Sequence, residues 1–430
     1  MNSAWVELSP MLQTRFRHEA ICLADGSVLV TGGLSKSQKG VLTSCETYNP
    51  VNDSWQQAAP MLSRRVGHTL TRLEDGRILA VGGESETGMD VNATCELYDP
   101  ETNQWTEGPS YGRPIRWHRA VSLGAKGVLI VGGNNRSRGE FSMCKSYDPK
   151  NEKWKSAPRM NANRAHHSVA VLDDGTLLAA CGKTTQNSTE SICLDSKPKP
   201  KTWTDAGETG MPRERAGLFG FNGGQAILAG GGTNAVESWS SEARCWSELP
   251  AMCFERDRGQ LIQLDDEMMI GIGSNTKGAQ LGHCQRMDPV TRQWHELDPL
   301  PLPLTISSPV QLMDGRVLVT GGSFLGYDCD AVFALPAKSA EREASVIARL
   351  TSFAKSSLPD VARFIEKWSN QSLGPGDAEE LATKAWGRKP ANARECVESA
   401  PVFFEGEATS KHVNKMIAEA HECTAFLAIS

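Results

Sequence analysis

The stretch Asp75-Gly-Arg-Ile-Leu-Ala-Val-Gly-Gly83 decides the fold of this chain. Asp75-Gly76 is a turn signal, and the strand after it has no polar residue in its interior, which is typical of a strand buried on both faces. A glycine pair ends the strand, where the backbone needs the room that a side chain would fill. The strand and its glycine ending recur about every 50 residues, at Gly32-Gly33, Gly82-Gly83, Gly132-Gly133, Cys181-Gly182, Gly230-Gly231, Gly271-Ile272-Gly273 and Gly321-Gly322.

Three further segments complete the unit around that strand. Thr94–Tyr98 alternates and is predicted to be the next strand, Gln104–Thr106 is predicted to be the outermost strand, and Arg64–Leu73, just upstream, the innermost one. No unit of this size can bury its own apolar face, so the array must close into a ring or extend as a solenoid. Tryptophans recur in phase with the glycines, at Trp55, Trp105, Trp154, Trp203, Trp246 and Trp294.

In these features the chain resembles the kelch-repeat family. The turn-strand-glycine element and the tryptophans carry the resemblance, together with Tyr48-Asn-Pro50, Tyr98-Asp-Pro100 and Tyr147-Asp-Pro149. It covers residues 1–336 and implies an all-β propeller in which each repeat is one blade. The fold alone does not specify a function, because many functions occur on it.

The repeats predict seven blades, with six as the alternative if the irregular fifth or sixth unit forms no blade. No tryptophan strand follows the seventh glycine pair, but Ala4–Met11 is similar to Asp53–Met61. We therefore expect the first strand of the chain to complete the last blade, which would leave no open sheet edge.

Residues 337–430 differ in character and are predicted to form a separate helical domain. Val346, Ile347, Leu350 and Phe353 form a helical stripe, and similar stripes follow it. Four or five helices would suit a small bundle, and a long helix pair leaning on the propeller is the alternative.

Composition points to the cytoplasm, with the nucleus as the open alternative. The 430-residue chain has no apolar run long enough to span a membrane, and its start does not resemble a signal peptide. Its 12 cysteines are therefore expected to be reduced. The net charge of −6 argues against nucleic acid as a partner.

The cysteines are predicted to pack between blades rather than to bind metal. Cys45, Cys95, Cys144, Cys193 and Cys284 are assigned to one equivalent position of the repeat. Equivalent positions lie on different blades and cannot converge on one ion. We expect no metal and no cofactor.

Catalytic motifs are absent from the sequence: it has no nucleophile elbow, no zinc-protease helix and no phosphate loop. The kelch resemblance includes a copper oxidase branch similar to galactose oxidase, which needs ligating tyrosines and histidines. Tyr48, Tyr98 and Tyr147 belong to the repeat signature, and Tyr111 and Tyr327 lack a Tyr-His neighbour. A sugar-processing enzyme of the mutarotase or epimerase type, using the central channel, stays open as the alternative function.

Arginines mark the segments that cross from an outermost strand to the next innermost strand. Six of these seven crossovers contain at least one arginine, and histidines follow them at His18, His68, His118 and His167. The guanidinium group suits carboxylates and phosphates. The candidate binding residues at this positive mouth are Arg17, Arg65, Arg116, Arg164, Arg215, Arg258 and Trp117.

The predicted function is a non-enzymatic scaffold that binds a protein or an acidic peptide at this mouth. It is analogous to kelch adaptors of ubiquitin ligases, although no BTB or F-box segment is recognisable. A pocket that holds a buried Glu or His beside an arginine would favour the sugar-processing enzyme instead.

Overall fold

The chain folds into an all-β propeller of seven blades. The computed structural model describes residues 5–337 except 39, 86–90, 136, 258, 265–268, 274–281, 303 and 325–326. These residues form seven four-stranded antiparallel sheets, two short two-stranded ribbons and one 3-10 turn, Gly124–Lys126, without an α-helix. The prediction of seven blades is confirmed, and the six-bladed alternative is wrong. The predicted helical domain lies outside the described residues.

The strands run in chain order with the following bounds. The first strands are β1 Val6–Leu8, β2 Glu19–Cys22, β3 Val28–Thr31, β4 Leu34–Ser35, β5 Gly40–Val41, β6 Cys45–Asn49 and β7 Ser54–Ala58. Next come β8 Thr69–Arg72, β9 Ile78–Val81, β10 Cys95–Asp99, β11 Gln104–Glu107, β12 Arg119–Ser122, β13 Val128–Val131, β14 Asn134–Asn135, β15 Gly139–Glu140, β16 Cys144–Asp148 and β17 Lys153–Ala157. The middle of the ring has β18 Ser168–Val171, β19 Thr176–Ala180, β20 Ser188–Cys193, β21 Thr204–Glu208, β22 Gly217–Phe221, β23 Gln225–Ala229, β24 Val236–Ser240 and β25 Cys245–Leu249. The last strands are β26 Gln260–Gln263, β27 Met269–Ile272, β28 Cys284–Met287, β29 Trp294–Leu297, β30 Ser308–Gln311, β31 Val317–Phe324 and β32 Tyr327–Leu335.

Each blade is ordered from the channel outward. Blade 1 has the order β2-β3-β6-β7, and the innermost strands of the other blades are β8, β12, β18, β22, β26 and β30. The second strand of each blade is almost fully buried, as its unbroken apolar sequence predicts. Within the described residues no helix is long and apolar enough to cross a membrane.

The ring is closed by the first strand, as predicted. β1 pairs antiparallel with β32 in blade 7, with Val6 opposite Ala334 and Leu8 opposite Val332. Trp5 is 7% exposed, and its indole Nε1 donates a hydrogen bond to the Asp298 carbonyl at 2.9 Å. Both ends of the propeller are thereby bound in one sheet, and β1 covers the edge that β32 would otherwise leave open.

A backbone contact joins each blade to the next at the glycine pair. The Gly33 amide donates to the Arg65 carbonyl at 2.9 Å, and equivalent bonds join Gly83 to Ile115 and Gly133 to Arg164. Gly32 has a φ of 57°, and a Cβ at this position would collide with the Arg65 carbonyl. The glycine pair is therefore required by the close approach of the neighbouring blade.

One arginine in each of five crossovers lies inside its own blade. Arg65 donates through NH1 to the Gly82 carbonyl at 2.6 Å and pairs with Glu96 at 2.7 Å. Four blades have this buried arginine–glutamate pair, formed by Arg15–Glu46, Arg65–Glu96, Arg164–Glu190 and Arg213–Glu237. Blades 3 and 7 lack the pair. Its two positions are occupied by Ile115 and Lys145 in blade 3 and by Leu304 and Phe333 in blade 7.

Blade 6 keeps the arginine but lacks the glutamate. Gln285 occupies the position of Glu96, and the buried Nε of Arg256 and Nε2 of Gln285 have no acceptor among the described residues. Desolvation lowers the pKa of Arg256 to about 10. Among the residues that the structure describes, no carboxylate pairs with this buried charge, which is costly for folding.

The cysteines pack between the blades, with one correction. Cys45, Cys95, Cys144 and Cys284 are at most 1% exposed, and burial raises the pKa of Cys45 to about 12. Cys193 does not share their position. The pairing of β19 with β20 places Thr189 there instead and puts Cys193 at the opposite end of the strand.

We expect Trp5→Ala to lower the free energy of unfolding by about 3–5 kcal/mol, because it leaves a cavity in the closing blade. Glu7→Ala, at an exposed position on the same strand, is the matched control and is expected to change stability by less than about 0.5 kcal/mol. Thermal and chemical denaturation measure both. Equal melting temperatures for the two variants would show that β1 does not close the ring.

We expect Gln285→Glu to raise the melting temperature, because it gives Arg256 the buried carboxylate that four other blades have. The reverse substitution in blade 2, Glu96→Gln, removes a partner from Arg65 and should destabilise by about 3 kcal/mol or more. Differential scanning calorimetry of both variants checks the pair. A Gln285→Glu protein that melts earlier than the wild type would contradict this account of blade 6.

Candidate functional site

The channel mouth on the crossover side is a ring of residues with a shared backbone conformation. The residue two positions after each crossover arginine has a left-handed φ, between 53° and 65°, in every blade where it is described. We call these residues the rim: Arg17, Gly67, Trp117, His166, Arg215 and Ile306. Left-handed backbone is costly for residues other than glycine and is concentrated at functional sites.

Backbone hydrogen bonds connect the rim residues around the channel. The amides of Trp117, His166 and Arg215 each donate to the rim carbonyl of the preceding blade, at 3.4, 3.3 and 2.8 Å. The Arg17 amide donates in the same way to Ile306 at 3.3 Å. The mouth is thus held by the backbone, and its side chains are free to differ from blade to blade.

The rim encloses a cavity of about 250 Å³ at the mouth of the channel. A second layer of side chains lies beneath the rim, at the first position of the innermost strands. This inner layer consists of Glu19, Thr69, Arg119, Gln260 and Ser308. The cavity is of a size for a small molecule and is lined by polar and apolar surface in similar amounts.

Glu19 and Arg119 are the charged residues of the inner layer. Both side chains touch channel solvent, but protein surrounds them, and this desolvation raises the pKa of Glu19 from 4.5 to about 7, against the opposing effect of Arg119. Among the described residues, none donates a hydrogen bond to the Glu19 carboxyl. Because its pKa lies near neutral pH, this carboxyl can exchange a proton under physiological conditions.

The rim adds two cations and an aromatic surface. Arg215 is paired with Glu214 at 3.0 Å and keeps 31% of its side chain exposed. The Trp117 indole covers Gly67, where a Cβ would lie 2.9 Å from the ring, and it stacks on His166 at 5.0 Å between ring centroids. The Arg17 guanidinium lies 5.8 Å from the same indole ring.

Three of the seven predicted binding residues line this cavity: Arg17, Trp117 and Arg215. The expectation that Arg65 projects into the mouth is wrong, because its side chain is fully buried in the pair with Glu96. Arg164 is likewise fully buried and pairs with Glu190. These two arginines hold their blades together and cannot reach a ligand.

The other two predicted residues lie elsewhere. Arg116 is mostly buried beside the cavity, where its guanidinium pairs with Glu84 and its Nε donates to Asn134 at 3.1 Å. Arg258 is outside the described residues.

The crossover histidines do not add positive charge to the mouth, contrary to the prediction. Desolvation lowers the pKa of His18 and His118 to about 3, so both are neutral at pH 7. Nε2 of His18, His68 and His118 each pairs with a threonine hydroxyl: Thr320, Thr31 and Thr69. Burial and the charge of Arg215 also lower the pKa of the rim residue His166 to about 3.

Glu19, Arg119 and His166 are the cavity residues that the sequence interpretation missed. Glu19 and Arg119 lie four residues after the crossover arginine position, where the other repeats have Thr69, Ser168, Gly217, Gln260 or Ser308. A charged residue at the start of an inner strand, where neighbouring repeats have an uncharged one, was the signal that could have found them.

Comparison with known proteins supports the fold. The family model described as Kelch motif matches residues 75–110, which confirms the kelch resemblance. No curated protein sequence matches the chain. A solved structure that shares the fold is that of a fungal alcohol oxidase of the AA5 family in complex with copper, with 16% sequence identity and a TM-score of 0.63 over 79% of this chain and 78% of that chain.

The residues at this mouth do not fit a copper centre like the one that this neighbour's copper suggests. Tyr48 and Tyr98 donate their hydroxyls to Asp53 and Asn103 within their own blades. No tyrosine lines the cavity among the described residues, and no group of three His, Cys, Asp or Glu there could hold a metal ion. We therefore derive no chemistry through copper.

The predictions of a non-enzymatic scaffold and of no enzymatic activity are corrected. The solved structure that shares this propeller over most of its length is an enzyme. The mouth also forms a cavity that holds Glu19 beside Arg119, the arrangement that favours the enzyme alternative over a shallow binding surface.

We expect Glu19→Gln to stabilise the protein at pH 8 but not at pH 4. Because the folded-state pKa of Glu19 is raised, its contribution to stability is complete below pH 4.5 and is lost as the pH rises through about 7. The variant should therefore gain on the order of 2 kcal/mol at pH 8. Melting curves across this pH range, with the exposed Glu107→Gln as control, measure the difference. A gain that does not depend on pH would contradict the raised pKa.

Proposed function

We propose that this kelch-repeat propeller is a sugar-processing enzyme of the mutarotase or epimerase type, acting in the cavity at its channel mouth. The observation that carries the proposal is the position of Glu19, whose carboxyl lines a cavity of small-molecule size and whose burial raises its pKa to about 7. The other side chains that line the cavity include hydrogen-bonding groups and an aromatic residue, both of which are typical of sites that bind a sugar ring.

Glu19 is the proposed general base. Its carboxylate accepts the proton of the anomeric hydroxyl, the bond between the anomeric carbon and the ring oxygen breaks, and the ring oxygen takes a proton from channel water. Reclosure on the other face of the carbonyl reverses each transfer and returns the proton from Glu19. The reaction consumes no other reactant, and a base with a pKa near the working pH is the effective one.

The remaining side chains bind and orient. Trp117 contributes an apolar part of the cavity lining, and its contacts with Gly67 and His166 hold the indole in place beside a bound sugar. Ser308 and Gln260 of the inner layer present uncharged polar groups to hydroxyls. Because His166 is neutral at pH 7, it serves as a hydrogen-bonding partner and not as the acid.

We expect Glu19→Gln to lower the rate of anomer interconversion by about 10²–10⁴-fold, the usual contribution of a general base. Two-dimensional NMR exchange spectroscopy on a panel of sugars measures the rate. In the wild type, kcat/KM should rise with pH up to about 7 and then level off, because the ionised carboxyl is the base.

Glu107→Gln is the control, since Glu107 is exposed on the outermost strand of blade 2. It should retain full activity and the wild-type pH profile. Equal rates for Glu19→Gln and the wild type, or catalysis of no sugar in the panel, would refute the proposed function.

A further inference from the structure

Exposed valines surround the place where the chain leaves the propeller. The propeller ends at Leu335–Ala337, directly after β32, which is the third strand of blade 7. In the other blades a turn follows the third strand and leads to the outermost strand, whereas in blade 7 the outermost strand is β1. The chain therefore leaves the ring at the position of that turn, between the corresponding turns of blades 6 and 1.

The turn between the third and the outermost strand has the same form in five blades. In each of them the residue two positions before the outer-strand tryptophan has a left-handed φ between 47° and 59°: Asp53, Asn103, Glu152, Arg244 and Arg292. Two positions further back, blades 2, 3 and 5 have the charged residues Glu101, Lys150 and Glu242, but blades 1 and 6 have Val51 and Val290. These valines are 49% and 88% exposed, and they belong to the two blades that flank the exit of the chain.

The outermost strand of blade 7 adds a third exposed valine. Val6 directly follows Trp5 in β1 and is 48% exposed. The residue after the corresponding tryptophan is polar in each of the other blades: Gln56, Thr106, Lys155, Thr204, Ser247 and His295. We call Val6, Val51 and Val290 the valine patch. Of the seven large hydrophobic residues that are exposed in the described part of the chain, three belong to this patch.

Hydrogen bonds place Val6 between the other two valines. The Ser9 amide, just after β1, donates to Asp53 Oδ1 at 3.0 Å, which joins blade 7 to the turn that contains Val51. At the start of β1, the Trp5 indole donates to the Asp298 carbonyl of blade 6. The outer edges of blades 6, 7 and 1 therefore adjoin one another, with β1 in the middle.

We infer that residues 339–356 of this chain pack on the valine patch as an amphipathic helix. The spacing of Val346, Ile347, Leu350 and Phe353 puts all four on one face of a helix. A helix over this range is about 27 Å long. Residues 337–345 can span about 30 Å before the apolar stripe begins. The segment therefore starts at the exit and has both the apolar face and the length to lie across β1.

Covalent attachment favours this segment over a separate protein as the occupant of the patch. A stable interface between two proteins usually buries about 1,200 Å² or more, which three separate valine side chains do not supply. A segment joined to the propeller by a few residues has an effective concentration on the order of millimolar, so a small apolar contact is enough to hold it. The inference does not depend on the proposed function, because the valine patch lies on the outer edge of the ring and the cavity lies at its centre.

Hydrogen–deuterium exchange of the full chain, followed by mass spectrometry, tests the inference. We expect the amides of residues 339–356 to exchange about tenfold or more slowly than in a synthetic peptide of the same sequence, because an isolated helix of this length is marginal in water. The triple variant Val6→Gln/Val51→Glu/Val290→Glu should abolish most of this protection. It introduces side chains that Gln56 and Glu101 already supply at the equivalent positions, so the propeller itself should remain folded.

The matched control makes changes at the same positions of blades 2 and 3, away from the exit. Thr106→Gln/Glu101→Gln/Lys150→Glu should leave the protection of residues 339–356 at the wild-type level. A circular dichroism melt confirms that both triple variants are folded.

Substitutions in the segment itself provide the reciprocal test. Leu350→Ser/Phe353→Ser should release the segment as the first triple variant does, whereas Ser352→Gln, on the opposite side of the helix, should not. Combining Leu350→Ser/Phe353→Ser with the first triple variant should raise the exchange rate no further, because both sets remove the same contact.

Three results would overturn the inference. The first is a wild-type segment that exchanges as fast as the synthetic peptide, and the second is protection that the valine substitutions leave unchanged. The third is protection that rises with protein concentration together with a dimer in sedimentation velocity, which would assign the valine patch to a second copy of the chain.

Discussion

The hydrogen bond from a glycine amide of one blade to the crossover carbonyl of the next is the constraint on which the propeller depends. It recurs in six blades of the described chain, at lengths of 2.7–3.1 Å. In four blades the preceding residue is also a glycine, and no larger side chain fits there because the same carbonyl of the neighbouring blade occupies the space: Gly32, Gly82, Gly132 and Gly321. Each blade is thereby fixed to the next at the same height, and the closing strand β1 extends the arrangement around the ring.

The same hydrogen bond between blades also fixes the backbone at the channel mouth. The residue that accepts the glycine bond is followed two positions later by a rim residue in left-handed conformation, and the rim amides bond to one another around the channel. Arg17, Trp117, His166, Arg215 and Ile306 each adopt a backbone conformation that costs about 1 kcal/mol or more outside glycine. The repeat therefore supplies a preorganised ring of backbone, and the variable side chains on it determine what binds.

Arginines serve two separate purposes in this fold. Those at the first crossover position, such as Arg65, neutralise a buried glutamate and hold the strands of one blade together. Arg17, Arg119 and Arg215 instead line the cavity, where desolvation raises the pKa of Glu19. Burying Glu19 costs stability at neutral pH, because the raised pKa means that the fold disfavours the ionised carboxylate.

The sequence by itself determined the blade count, the closure by Ala4–Met11 and the packing of Cys45, Cys95 and Cys144, because each depends on local periodicity and strand pairing within a repeat. It also brought Arg17, Trp117 and Arg215 to one mouth. Which arginines are buried was decided only by the tertiary structure, since Arg65 and Arg215 differ by their position relative to the left-handed turn and not by residue type. The proximity of Glu19 to Arg119 likewise arises from the ring, which brings the innermost strands of blades 1 and 3 to one cavity although these residues are far apart in the chain.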